Sequence, residues 1–89
     1  MKRIFIDVRE PYEFKHSHVA EAINIPPNKI HKRSDLVKNL PKNAELVVYC
    51  ISGARSDMAI NLLSQMGFKH LVNGINQDQI HAKYGVNID

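Results

Sequence analysis

The sequence predicts a small single α/β domain: a parallel β-sheet of about four strands with helices on both faces. Three observations carry this. Four short apolar runs, Ile4 to Val8, Ala22 to Ile25, Leu46 to Cys50 and His70 to Val72, read as strands. Segments with helical spacing and helix start and stop residues lie between them. Finally, Leu46-Val47-Val48-Tyr49 is apolar without alternation, the pattern of a strand covered on both sides, as in parallel sheets sandwiched between helices.

The first strand, Ile4 to Val8, is followed by Pro11, placed for the first turn of a short helix, where its missing N–H costs nothing. The second, Ala22 to Ile25, runs into Pro26. Between Asn28 and Leu40 the pattern predicts one longer helix stopped by Pro41. The third strand, Leu46 to Cys50, precedes a helix from Arg55 to Met66, in which Ala59, Leu62, Leu63 and Met66 repeat at i, i+3, i+4, i+7. Asp57 lies in the first turn of that helix and Gly67 stands where a C′ residue belongs. After His70 to Val72, a last helix starts near Asn76, with Gln79 three residues on as in a capping box, and ends before Gly85.

Eighty-nine residues suffice for one core, so residues 1–89 are expected to form one domain. No apolar stretch approaches the ~20 residues of a membrane span, and Asp7 interrupts the N-terminus too early for a secretory signal. The single cysteine forms no internal disulfide, which fits a reducing compartment; the expected location is the cytoplasm. Net charge is +3, but the basic residues are dispersed and only Lys29, Lys32 and Arg33 approach a cluster. Neither a nucleic-acid nor a membrane partner is expected; the mild positive charge suits small anions or an acidic partner. His16 and His18 stand two apart without a second ligand pair, so neither a metal nor a cofactor is expected.

The chemistry concentrates in Cys50-Ile51-Ser52-Gly53-Ala54-Arg55-Ser56, between a strand and a helix. A thiol there faces the free N–H groups and positive end of the helix, which favour thiolate. Gly53 suits a backbone at positive φ or close to a ligand, and successive amides of Ile51 to Ser56 form a nest for a small anion. No histidine is tied by motif to Cys50, so a cysteine-protease pair is unsupported. In parallel sheets ligands bind beyond the carboxyl ends of the strands, and Asp7, Arg9, Asn24, Cys50 and Asn73 all fall at or just after such ends.

The Cys-x4-Arg loop resembles the active-site loop of rhodanese-like sulfurtransferases, which has the same length and often glycine at the same place. Asp7-Val8-Arg9-Glu10-Pro11-Tyr12-Glu13-Phe14 is similar to that family's Asp-Val-Arg-Glu-x-x-Glu-Phe segment. His18-Val19-Ala20-Glu21-Ala22-Ile23-Asn24-Ile25-Pro26 is similar to its His-Ile-x-Gly-Ala-x-Asn-Ile-Pro stretch, with Glu21 in place of glycine. The segments follow in family order over roughly residues 4–74. Several positions depart from the pattern. Ile51 stands where a basic residue is common; the C-terminal Gly-Gly-x-x-x-Trp is represented by Asn73-Gly74 without tryptophan; and the chain starts at the first central strand, without the strand and helix that usually precede it.

The resemblance implies a rhodanese-like fold and a sulfurtransferase in which Cys50 carries a sulfane sulfur as a persulfide. It implies a small sulfur-containing anion such as thiosulfate, or a persulfide, as donor, and cyanide, a small thiol or a thioredoxin-like or other thiol protein as acceptor. Cys50 would be the nucleophile and Ile51, Ser52, Gly53, Ala54, Arg55 and Ser56 the loop that holds the sulfur, with Asp7 and Arg9 tying the pocket's loops together. Two other readings stand beside it. One is a non-catalytic binding or sulfur-relay module. The other, a cysteine-dependent phosphatase or arsenate reductase, is disfavoured because that chemistry uses a loop one residue longer, whose arginine would fall at Ser56.

Overall fold

The computed structural model describes all residues from Met1 to Asp89. In chain order the elements are β1 (Arg3–Asp7), α1 (Pro11–His16), β2 (Ile23–Asn24), α2 (Pro27–His31), α3 (Asp35–Lys38), β3 (Glu45–Tyr49), α4 (Ala54–Gln65), β4 (His70–Ile75) and α5 (Gln77–Tyr84). The four strands form one parallel sheet in the order β2-β1-β3-β4. β1 and β3 pair with Ile6 opposite Val48 and Asp7 opposite Tyr49, so both central strands deliver their ends to the same edge.

Strand alternation divides the core between the two faces. Ile6, Leu46 and Val48, with Val8 and Cys50 just past the strand ends, pack against Ile30 of α2, Val37 of α3, and Ala59 and Leu63 of α4. Phe5, Val47 and Tyr49 point the other way, onto Val19 and Ile80 of α5. Burying each such Ile, Leu or Phe is worth about 1.5–3 kcal/mol, so both faces contribute to stability. α4 exposes Asp57 and Met58 and buries Ser56, Ala59 and Leu63, which bears out the predicted stripe. It stops ahead of Gly67, and α5 ahead of Gly85. No helix is long and apolar enough to cross a membrane.

Three sequence expectations are corrected. The single helix between Asn28 and Leu40 is two, α2 and α3, separated by Arg33 at φ 50° and by Ser34 as N-cap of α3. Ser34 takes the N-cap position with its hydroxyl making no capping bond, and the left-handed Arg33 before it together with Asp35 in the new first turn restarts the helix. The second strand shrinks to Ile23–Asn24, the two residues that pair with Ile6 and Asp7, because the Ala22 amide turns back to Val19 O instead of the sheet. The fourth extends past Val72 to Ile75, because its end pairs with Tyr49 across a register shift at Val48/Tyr49. The C-terminus also adds an unforeseen strand-like contact: His18 and Asp89 exchange both backbone hydrogen bonds, at 3.0 and 2.8 Å.

Two non-glycine residues beside the site's strands are left-handed. Glu21 has φ 69°, and it occupies the position where glycine is expected. Ile75 has φ 72°, an uncommon conformation for a β-branched residue. The preceding Gly74 has no room for a side chain: a Cβ there would stand 2.8 Å from Ile80 Cδ1 and 3.0 Å from Val47 Cγ1. One position thus demands glycine by close packing and the next favours it by φ.

Candidate active site

The site forms where β3 runs into α4. Cys50 follows the last residue of β3, and its amide donates to Ile75 O at 3.0 Å, so the bulged end of β4 fixes the start of the loop. Gly53, the N-cap of α4, turns the chain at φ 94°. A Cβ on Gly53 would meet Asn73 and Ile75 at an ordinary 3.6 Å, so here glycine is required by the backbone angle and not by space.

This turn aims donors at the sulfur. Gly53 N–H lies 3.2 Å from Cys50 Sγ, Ser56 N–H 3.4 Å, and the Ser56 hydroxyl 3.4 Å. Cys50 is buried, at 2% exposure, which by itself would raise its pKa. The Ser56 hydroxyl and the amides of Ser56, Gly53 and Ile51 more than offset that burial and bring the thiol down to about 7. A large share of the sulfur is therefore thiolate at neutral pH, the form that acts as nucleophile. The amides of Ala54 and Arg55, in the first turn of α4, have no intrahelical acceptor and extend the same anion-binding end.

Behind the loop, Asn73 locks this arrangement. Its Nδ2 donates to Gly53 O at 3.0 Å while its Oδ1 accepts from Ile75 N–H at 3.0 Å and faces Ser56 Oγ at 2.7 Å. Ser56 Oγ also lies 3.1 Å from Gly53 O.

The two guanidiniums of the site are both engaged by carboxylates. Arg55 pairs with Glu13 of α1, Nη1 to Oε1 at 2.8 Å and Nη2 to Oε2 at 3.2 Å. That bond holds Glu13 below the usual carboxylate range and raises Arg55 further. It also gives a cation in a helix's first turn the anion it needs against the dipole. Arg9 is buried on Asp7, with Nη2 to Oδ2 at 2.6 Å and Nε to Oδ1 at 3.0 Å, and it reaches on to Ser17 O at 2.6 Å. Tyr49 donates its hydroxyl to Asp7 Oδ2 at 2.8 Å and accepts from Val19 N–H at 3.0 Å; burial pushes the phenol up, so it stays a donor. Asn24 Nδ2 donates to the carbonyls of Asp7 and Arg9, at 3.0 Å each. Asp7 and Arg9 thus bind three loops to one another through the ends of β1, β2 and β3.

Arg9, Cys50, Ile51, Asn76, Gln77 and Asp78 line a cavity of about 200 Å³. Of the predicted residues, Cys50, Ile51 and Arg9 face it directly. Gly53 and Ser56 are buried beneath the sulfur, while Ser52 and Ala54 are exposed on the outer side of the turn. Asp7, Asn24 and Asn73 support the walls from behind. The start of α5, Asn76 to Asp78, is a wall that sequence reasoning did not assign, although the cap signal at Asn76 is real: its Oδ1 accepts from Gln79 N–H at 2.9 Å. Glu13 and Tyr49 were missed too, since a partner distant in sequence leaves no local signal. A larger cavity, about 400 Å³, lies between β4 and α5 and does not include Cys50. His18 bonds Phe14 O at 2.8 Å and stacks on the Phe14 ring, a structural role. No group of three or more His, Cys, Asp or Glu side chains is arranged to hold a metal ion.

The family model for the rhodanese-like domain matches residues 1–78. Thiosulfate sulfurtransferase PspE of Escherichia coli is 40% identical over 70 residues, covering 78% of this chain and 65% of that protein. Putative sulfur carrier protein YrkF of Bacillus subtilis is 35% identical over 68 residues, covering 76% of this chain and 35% of that protein. The chain thus spans about a third of the one relative and just under two thirds of the other. Among solved structures, a rhodanese with anions from E. coli superposes with a TM-score of 0.76 at 36% identity, covering 88% of this chain and 91% of that one. The rhodanese-like domain of the Anabaena Alr3790 protein, at 22% identity, shares the fold with a TM-score of 0.81, covering 99% of this chain and 81% of that one.

Proposed function

The chain belongs to the rhodanese-like domain family, and from that membership we propose that it is a sulfurtransferase working through a persulfide on Cys50. The observation that carries the proposal is the sulfur's surroundings: Gly53 N–H, Ser56 N–H and the Ser56 hydroxyl converge on Sγ within 3.4 Å, at the N-terminus of α4. A group held this way is a thiolate ready to attack, and the same donors suit the anionic sulfur it would carry afterwards.

In the first half-reaction the Cys50 thiolate attacks the outer sulfur of thiosulfate or of a persulfide. A Cys50–sulfur bond forms, the donor's S–S bond breaks, and its electron pair leaves on sulfite or on the donor thiolate. The loop amides from Ile51 to Ser56 hold the terminal sulfur, and the positive end of α4 favours the anionic forms. In the second half-reaction an acceptor nucleophile, cyanide, a small thiol or a thioredoxin-like or other thiol protein, takes the terminal sulfur and the electron pair returns to Cys50. The cycle needs no metal, cofactor or acid–base pair, and Asp7 and Arg9 serve to hold the cavity's shape. The similarity to E. coli thiosulfate sulfurtransferase supports this reading.

The test is thiocyanate formation from a sulfur donor and cyanide, which is expected for the parent and absent for Cys50→Ser. A second reading, a sulfur-relay module that hands its persulfide on only within a complex, is favoured by the similarity to a putative sulfur carrier protein. Persulfide formation without turnover to small acceptors would select it. Phosphatase or arsenate-reductase chemistry is disfavoured by the short loop and by the capture of Arg55 by Glu13, which leaves no free bidentate clamp for a phosphoryl group.

A further inference from the structure

We propose that the donor this site accepts best is an organic persulfide, R–S–SH, and that Ile51 and Asp78 disfavour the thiosulfate dianion. The inference rests on the sulfur-transfer reading above and concerns the choice of donor. Thiosulfate brings two negative charges and releases sulfite, so a site tuned to it gains from a cation beyond the nucleophile. Here each nearby guanidinium is already neutralised. Arg9 is buried on Asp7 at 2.6 Å, and Arg55 is held in a two-point pair by Glu13.

The cavity mouth adds no other cation. Ile51, directly after the nucleophile, is apolar and 56% exposed. On the opposite wall the first turn of α5 turns toward the cavity, and Asp78 in that turn sets a carboxylate against the positive end of its own helix. The amides of Gly53 and Ser56 point at the Cys50 sulfur and serve the transferring sulfur, not the donor's leaving group. The cavity therefore suits a transferring sulfur attached to a weakly charged, partly apolar group resting on Ile51. Transfer balances without a further reactant: the Cys50 thiolate attacks the outer sulfur of R–S–SH, Cys50–S–SH forms, the donor's S–S bond breaks, and R–S⁻ leaves with the electron pair.

The experiment measures the rate at which Cys50 is loaded by thiosulfate, by free cysteine persulfide and by a short peptide carrying a persulfidated cysteine. N-acetylcysteine serves as the reference thiol for intrinsic donor reactivity. The parent is expected to prefer persulfides over thiosulfate by at least about tenfold more than the reference thiol does. Whichever persulfide loads faster identifies a small or a polypeptide carrier. Ile51→Arg should raise loading by thiosulfate about tenfold and lower loading by an alkyl persulfide, whose organic group loses its apolar rest, and Asp78→Asn should raise thiosulfate loading about threefold. Both positions are exposed, so unchanged melting temperatures should accompany these shifts. Thiosulfate loading that matches the reference preference, or that neither substitution alters, would overturn the donor assignment while leaving sulfur transfer intact. Loading by none of the donors would instead remove sulfur transfer itself.

Discussion

Ser56 Oγ stands 2.7 Å from Asn73 Oδ1 and 3.4 Å from Cys50 Sγ, and it has one proton to give. Asn73 cannot turn its amide round, because Ile75 N–H needs Oδ1 and Gly53 O needs Nδ2. With Cys50 as a thiol, Ser56 donates to Asn73 and accepts from the sulfur. With Cys50 as a thiolate, a hydroxyl turned to the sulfur gives up its 2.7 Å bond to Asn73 Oδ1, so the sulfur and the amide compete for its one proton.

Removing that hydroxyl should therefore weaken the thiolate. Iodoacetamide alkylation of the parent should rise with pH and level off above a midpoint near 7, because the thiolate reacts and the folded pKa is lowered to that value. Ser56→Ala should move the midpoint up by about one unit, the worth of one hydrogen bond to a charged group. A parental midpoint near the free-thiol value of ~8.5 would mean that the loop does not activate Cys50.

The buried pair of Asp7 and Arg9 is expected to be structural. Asp7→Ala strands the guanidinium of Arg9 and removes the acceptor of the Tyr49 hydroxyl. Breaking one side of such a pair costs about 3–5 kcal/mol, a large part of what a small domain has. Urea unfolding should show a loss of that size, with Tyr49→Phe costing about 1 kcal/mol. A loss below about 1 kcal/mol for Asp7→Ala would show that the network carries little of the fold.

Glu21 is left-handed at φ 69° and exposed, so its side chain gains little for the strain of that conformation. Glu21→Gly should stabilise the domain by about 0.5–1 kcal/mol and raise Tm by about 3–6 °C. The glycine's looser unfolded chain works against this gain, and a Tm that falls would mean entropy outweighs the strain.

The parts of the fold that are legible in the sequence have local causes. Leu46 to Tyr49 reads as a doubly covered strand because each of its side chains meets one helical layer or the other. Cys50 and Gly53 stand out because a strand, a left-handed turn and a helix follow in one short run. The break at Arg33 is hidden, since Ile30 and Val37 keep helical spacing although the chain between them leaves the helix. The Glu13–Arg55 pair and the Tyr49–Asp7 bond each join residues 42 apart, and only the sheet's register brings them together. The cavity wall at Asp78 depends likewise on where β4 ends, and a bulge sets that point.

Sulfur transfer by this chain stands or falls on whether Cys50 takes up sulfur. The direct measurement is the intact mass of the protein after incubation with excess thiosulfate or alkyl persulfide and removal of the donor. The account predicts one added sulfur, about 32 Da, released by cyanide or dithiothreitol and absent from a folded Cys50→Ser variant. An unchanged mass with both donors, or the same gain in Cys50→Ser, would contradict it.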